Sequence, residues 1–384
     1  MLKNLKTSFK AASIITGTII GVGLFGLPYA INRVGFFIAI PLFIFLSLAV
    51  LCLHLLYGEI VLRTKHTQRL VGYAEKYLGK NAKTLATFTA LFGLLGSQLA
   101  YLIVGGEFLQ FLSKKALGGD IIVYAIIFLA VGSLIILKGS SVIASFEFLM
   151  SLFLVSVILL IFFSAAPSIN LINFNRINPV YTFSAYGVIL YSLSGLVAIP
   201  ETIEYLRKKK NKNAKRVIIT GTILPHILCV IFAFSVIGLV GSGVNESAIT
   251  SLRGFLGEDV IILGAIFGII AVLTSFITIG SALMKILWYD YKFPKMLSWV
   301  TVSMVPLILF ILGFRNFINV IGVVGAVMGG INGVLVIMIF KKAKKMGNTK
   351  PSYNFHLPNF VKWILVAIFV IGILYEIYYF ISTR

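Results

Sequence analysis

Residues 17–30 read GTIIGVGLFGLPYA, and no other stretch constrains the fold as much. The segment is apolar enough to lie in a bilayer. Yet Gly17, Gly21, Gly23 and Gly26 make it a poor helix, each costing about 1 kcal/mol relative to alanine. Pro28 withholds a further backbone donor. Irregular backbone at membrane depth persists only where it is buried in protein or lines a wet cavity. Small residues also let membrane helices approach closely, but packing glycines recur on one face, and Gly21 and Gly23 cannot share one. The residues favour a broken helix over a packing seam.

Composition identifies the solvent as lipid. Of 384 residues, 59% are hydrophobic and 12% charged, more apolar surface than a soluble globular chain needs. A span takes about 20 apolar residues. Eleven segments qualify: 11–33, 36–62, 82–112, 119–138, 141–163, 183–206, 216–240, 258–287, 296–313, 317–340 and 359–381. The basic MLKNLKTSFK precedes the first without a small-residue cleavage pattern and reads as part of a retained helix. Cys52 and Cys229 both fall inside apolar runs, supporting neither a disulfide framework nor a zinc site.

Lys and Arg divide unevenly between the two sides of these spans. Of 33, 26 fall in 3–10, 63–83, 138, 207–216, 285–295, 341–350 and 362, against 7 at 33, 114–115, 176, 253, 315 and 384. The positive-inside rule then expects a multi-pass cell-membrane protein with a cytoplasmic amino terminus and an external carboxyl terminus. The same rule accounts for the net charge of +21. RKKKNKNAKR at 207–216 becomes a cytoplasmic loop beside anionic lipid headgroups, not a nucleic-acid surface. In the loops, QRLVGYAEKYLG at 68–79 has helical spacing and is expected along the inner surface. NESAITSLRGFLGED at 245–259 is expected to form a short outer helix or lid.

The sixth span repeats the oddity of the first. YSLSGLVAIPETIEYL at 191–206 is interrupted by Ser194, Gly195 and Pro200, and Glu201 and Glu204 follow the proline. Spans one to five occupy 11–163 and spans six to ten 183–340. Five is odd, so the second set crosses in the opposite sense. Interrupted spans at corresponding positions of two inverted halves point to the central site of a secondary transporter. The expected fold is all-α with about eleven transmembrane helices. It is one transmembrane domain over 1–384, a five-plus-five inverted repeat with helices one and six broken and 359–381 outside the repeat.

These residues carry a resemblance. GTIIGVGLFGLPYAINRVG resembles the first-helix signature of the amino acid/auxin permease family, which includes bacterial aromatic amino acid permeases within the amino acid–polyamine–organocation superfamily. LYSLSGLVAIPE resembles that family's sixth-helix break, and LYGEIVLR at 56–63 its second-helix end. The resemblance implies the fold of the bacterial leucine transporter, working by alternating access. A neutral or aromatic amino acid would enter with a cation, and a monomer in membrane lipid would suffice.

A zwitterion needs donors for its carboxylate and acceptors for its ammonium, and a broken helix offers both without charged side chains. The backbone of Gly21, Val22 and Gly23 is expected to hold the carboxylate. Carbonyls around Ile19, Ile20 and Tyr191 to Ser194 would face the ammonium. Gln98 and Tyr101 sit in the middle of the third span, where polar side chains are expensive unless used. Tyr191, Ser194 and Gly195 line the sixth-span break.

For the coupling ion, Thr274 and Ser275 are adjacent hydroxyls deep in the eighth span, and bonding to their own helix's carbonyls is the plain alternative. AVLTSF at 271–276 resembles the sodium-ligating stretch of the leucine-transporter fold. That resemblance implies the Ala271 carbonyl, the Thr274 and Ser275 hydroxyls, and the Gly17 and Ile20 carbonyls as ligands. Proton-coupled relatives can place a lysine on helix five; Leu154 stands there, which leans toward Na+. Glu201, just past the break, is the residue for the alternative, H+ coupling, or for a gate.

Glu59 with Arg63 reads as a structural i,i+4 pair, while Glu107 and Glu147 lie toward span ends and take no role. No cofactor beyond the coupling ion is expected. A channel would show charge rings or filter repeats, and an enzyme metal-type histidine spacing or a nucleophile–base pair. His54, His66, His226 and His356 lack that spacing. A transporter-like amino acid sensor stays as the third alternative.

Overall fold

Helix occupies each of the eleven apolar segments in the computed structural model, which describes residues 2–138 and 143–382, without the side chains of 2, 3, 115, 116, 143–151, 290, 380 and 382. Glu147, Lys3, Lys115 and Arg384 therefore lie outside the described side chains, as do residues 141–142 of the fifth segment. The first span is two helices, α1 (Leu2–Ile19) and α2 (Gly23–Val34), bent by 55° across residues 20–22. Gly35 alone turns the chain into α3 (Phe36–Leu62), with φ of 104°, a left-handed conformation that a side chain disfavours. A β-carbon there would also strike the Arg176 carbonyl, because the Asn178 N–H reaches the Val34 carbonyl at 2.7 Å and lays the 166–181 connection over the turn.

The expected surface helix at 68–79 is α4 (Leu70–Leu78), and its apolar stripe buries Tyr73, Ala74 and Tyr77. Then come α5 (Lys80–Leu117), α6 (Ile121–Lys138) and α7 (Ile143–Ala165). The sixth span is again two helices, α8 (Thr182–Leu193) and α9 (Ala198–Lys208), parted at 194–197. Next are α10 (Ala214–Val240), α11 (Glu258–Lys285) and α12 (Lys295–Ile311). The tenth segment runs as α13 (Phe317–Val323), a π-helical turn (Val324–Gly329) and α14 (Gly330–Met346), before α15 (Asn359–Ser382). At 245–259 the chain makes a 3-10 turn, Ile249–Leu252, in place of a longer helix, and Ile249 and Leu252 are buried.

The protein is all-helical and crosses the membrane repeatedly. Among the described residues, eight helices are long and apolar enough to span, the bent pair α1–α2 adds a ninth, and Leu152–Ser168 and Lys295–Ile311 are shorter apolar helices. The broken pairs sit at the centre: α1 packs on α7, α9 and α10, and α2 on α8 and α10. The long α5 runs beside α11. Helix α8 meets α13 and the π-helical turn backbone to backbone, since a side chain on Gly187 would strike Gly322 and one on Gly325 would strike the Gly187 carbonyl. By contrast α15 lies at the edge, against α14, α8 and the π-helical turn.

The end where α3 finishes is tied tightly. Fully buried Glu59 accepts from Arg63 at 2.8 Å and from the Phe355 N–H, while Tyr353 donates to the Leu55 carbonyl at 2.7 Å. Arg207, from the basic run, donates to the Val61 and Thr64 carbonyls at 2.8 and 2.9 Å, a cation capping a helix carboxyl end.

Candidate functional site

The first break removes α1 from its own hydrogen-bond ladder. In a continuous helix the Gly21 N–H would reach back to the Gly17 carbonyl. Here it turns to Ile19 at 2.9 Å, and the Leu24 N–H goes to Gly21 and not to Ile20. Among the described residues the Gly17, Thr18 and Ile20 carbonyls and the Val22 and Gly23 N–H groups are thus left without backbone partners. The glycines make the turn possible, and they also keep it open to close neighbours.

Those neighbours come from α5, α8 and α11. A β-carbon on Gly21 would meet the Tyr101 hydroxyl at 2.9 Å and the Ser275 Oγ at 3.6 Å. One on Gly23 would meet Ser192 at 2.8 Å and Tyr191 at 3.0 Å. The Tyr101 hydroxyl lies beside Ser275 and Tyr191, and Tyr191 in turn lies beside Ser97. A chain of hydroxyls therefore runs from α11 across α5 to the end of α8, over the break in the first span. Ser192 Oγ closes the circle, 2.8 Å from the Gly23 carbonyl and 2.7 Å from the Val188 carbonyl.

Beside this cluster lies a cavity between α1, α5, α7 and α11. Its wall includes Gly17, Ile20, Ala271, Thr274, Ser275 and Tyr101, together with Thr18, Phe267 and Leu154. About 40 Å³ is open to the centres of water molecules, room for an ion or a few waters. Among the described residues no acidic or basic side chain lines it. The Thr274 hydroxyl donates to the Ala271 carbonyl at 3.0 Å, within its own helix. Its lone pairs stay available, so the neutral oxygens of the wall form a donor set suited to a hard cation.

Several expected residues fall elsewhere. The Gly21 N–H is engaged by Ile19, so a carboxylate would find its free donors on Val22 and Gly23 alone of the three. The Ile19, Tyr191 and Leu193 carbonyls already accept from Gly21, Ser194 and His226, which leaves Ile20, of the two expected first-span carbonyls, without a backbone donor. Gln98 is fully buried but outside the cavity wall, donating to the Phe276 carbonyl at 2.9 Å with its own carbonyl oxygen unpaired. Glu201 is exposed on α9 and does not line the cavity, because the break turns that face of α9 outward with Val197. Ser194 is half-buried, away from the cavity wall.

Two histidines secure the second break, and sequence reasoning passed over both. The Gly195 N–H donates to His54 Nε2 at 3.2 Å, and His54 Nδ1 bonds Thr222 at 2.9 Å. His226 Nε2 donates to the Leu193 carbonyl at 3.0 Å, and its Nδ1 accepts from Ser47 at 2.6 Å. Backbone partners fix the tautomers: His54 must be neutral with its proton on Nδ1, and His226 carries one on Nε2. The pair replaces helical bonds that the break removed. Gly195 itself packs on Ile19, with 2.7 Å to a β-carbon placed there. Only the coincidence of lone histidines with apolar spans facing a break could have flagged them.

Against this geometry stand comparisons with known proteins. The family described as tryptophan/tyrosine permeases matches residues 5–378. Glutamine transporter 2 of Aliivibrio fischeri is 21% identical over 309 residues, 78% of this chain and 80% of that protein. Tyrosine-specific transport systems 1 and 2 of Haemophilus influenzae are 24% and 26% identical, each covering 70–72% of both chains. A solved structure of Mhp1, a nucleobase–cation–symport-1 family transporter in a closed conformation with bromovinylhydantoin bound, superposes with a TM-score of 0.64 at 14% identity. The match covers 86% of this chain and 77% of that one, and the shared fold is of the leucine-transporter type.

Proposed function

The chain belongs to the tryptophan/tyrosine permease family, and we propose that it is a secondary active transporter importing a neutral or aromatic amino acid by cation symport. A permease family accounts for the chain without enzymatic chemistry. The observation that carries the reading is the meeting, at one break, of freed backbone groups with the Tyr101, Tyr191 and Ser275 hydroxyls. A carboxylate would bind at the free Val22 and Gly23 N–H groups, and its ammonium at the Ile20 carbonyl. The side chain would be selected around Tyr101 and Tyr191. Tyrosine and glutamine transport by the relatives supports an amino acid over another solute.

Na+ is the favoured coupling ion. Neutral oxygens of Gly17, Ile20, Ala271, Thr274 and Ser275 line a single cavity, and Leu154 supplies no competing charge there. Glu201 as a proton carrier is the lesser reading, since it lies exposed outside that cavity. The wider placement among amino acid/auxin permeases of the amino acid–polyamine–organocation superfamily is part of this proposal. So are inverted halves at 11–163 and 183–340, a cytoplasmic amino terminus in the cell membrane, and function as a monomer. Uptake of a labelled amino acid panel into proteoliposomes, under a sodium or a proton gradient imposed separately, tests it. Sodium-driven uptake of tyrosine, tryptophan or glutamine is expected. Uptake driven by protons alone would overturn the ion, and no uptake under either gradient would overturn the substrate class.

A further inference from the structure

Glu376 is a carboxyl inside a membrane helix, and among the described residues no cation pairs with it. It is 5% exposed on α15, and its Oε2 is fully buried without a hydrogen-bond partner. The described residues form three ion pairs, Arg63–Glu59, Lys83–Glu75 and Lys208–Glu204, and Glu376 is in none of them. Its side chain points across the helix boundary at α13, where Gly322 leaves room: a β-carbon there would lie 3.1 Å from Glu376 Oε1. The carboxyl opens into a small pocket shared with Tyr29, Arg33, Ser184, Asn319 and Tyr379.

Among the described residues Arg33 is the one cation lining that pocket, and it is occupied by Tyr181. Its guanidinium stacks over the Tyr181 ring at 4.0 Å. The other ionisable groups around Glu376 are Tyr29 on α2, Tyr186 on α8, and Tyr375 and Tyr379 on its own helix. The α13 helix and the π-helical turn have none, and α14 carries its lysines in its last two turns. An unpaired carboxylate in such surroundings costs several kcal/mol, and a bound proton removes that cost.

We propose that Glu376 is a proton-binding site that exchanges through this pocket and gives transport a pH dependence separate from the cation cavity at Thr274 and Ser275. The proton adds to one carboxylate oxygen and returns to water on release; no other bond changes. On release, the group able to answer the new charge is Arg33, which would leave Tyr181 and draw α2 toward α15. Proton loss would thus act on the outer half of the first broken span.

Labelling with dicyclohexylcarbodiimide, which attacks protonated carboxyls in apolar surroundings, tests the site on the purified full-length protein. Peptide mapping should find the adduct on Glu376, less of it at alkaline than at acid pH, and none there in Glu376→Gln. Labelling of Glu107 with Glu376 unmodified at acid pH overturns the proposal. In proteoliposomes, Glu376→Gln should flatten the pH profile of uptake and Glu376→Asp should keep one. An unchanged profile in Glu376→Gln overturns it as well. Should the parent take up no amino acid, the transporter reading fails, and the labelling still decides the proton site.

Discussion

The Tyr101 hydroxyl stands 2.9 Å from the point where a side chain on Gly21 would begin. Gly21→Ala must displace Tyr101 from Ser275 and Tyr191, and uptake should fall about tenfold or more, the equivalent of about 1.4 kcal/mol. Since both changes act on one contact, they should not add. Gly21→Ala/Tyr101→Phe should match Tyr101→Phe alone within about twofold, measured as initial uptake rates. A fully additive double variant would show that the contact is incidental.

Thr274→Ala removes an oxygen from the cavity wall without touching Tyr101, whereas Ser275→Ala removes a wall oxygen and a neighbour of Tyr101 together. The first should raise the sodium concentration for half-maximal uptake about tenfold and leave the amino acid KM near its parent value. The second should raise both. A cation–hydroxyl contact worth about 1.5 kcal/mol gives that size. Glu201→Gln, changed on an exposed face, should stay within about twofold of the parent in both titrations.

His54→Leu strands the Gly195 N–H and Thr222 in a buried site, where each orphaned group costs about 1–3 kcal/mol. The thermal midpoint in detergent should drop, and uptake with it. His54→Gln can return an acceptor toward Gly195 and should recover part of both. Equal damage by Leu and Gln would mean that ring packing, not the hydrogen bond, is what His54 supplies.

Glu59 is a stability residue. Glu59→Ala leaves Arg63 without its partner and the Phe355 N–H without an acceptor, and should destabilise by about 3 kcal/mol. The double change Glu59→Leu/Arg63→Met should recover much of that loss, as apolar replacement of a buried pair often does. Melting of the solubilised protein measures both. A midpoint unchanged in Glu59→Ala would show that the pair contributes nothing net.

What could be read from the sequence was whatever costs energy to place in a membrane. Glycines 17, 21 and 23 announce a break because a helix would refuse them, and adjacent Thr274 and Ser275 announce a polar wall because lipid would. The structure brings Gly17, Thr274 and Ser275 to one cavity wall and sets Gly21 and Gly23 beside it, against Tyr101 and Tyr191. What escaped reading depends on backbone atoms. The partners of His54 and His226 are the Gly195 N–H and the Leu193 carbonyl, groups that every residue possesses and that carry no side-chain signal. Gly21 looks like a donor until the local turn hands its N–H to Ile19. The exposure of Glu201, by contrast, was legible: Ile199, Ile203 and Leu206 fall on one face of α9, and Glu201 lies opposite them.

Ser192 has a single proton and two carbonyls within reach, Gly23 across the interface and Val188 in its own helix. A turn about one side-chain bond, an event of picoseconds to nanoseconds, moves that proton from one to the other with no bond lost. The joint between the two broken spans is in this sense a latch without a spring. It holds the breaks in register while they touch and resists nothing when they part. The contact of α8 with α13 and the π-helical turn is of the opposite kind, backbone on backbone at Gly187, Gly322 and Gly325, where no side chain can swing aside.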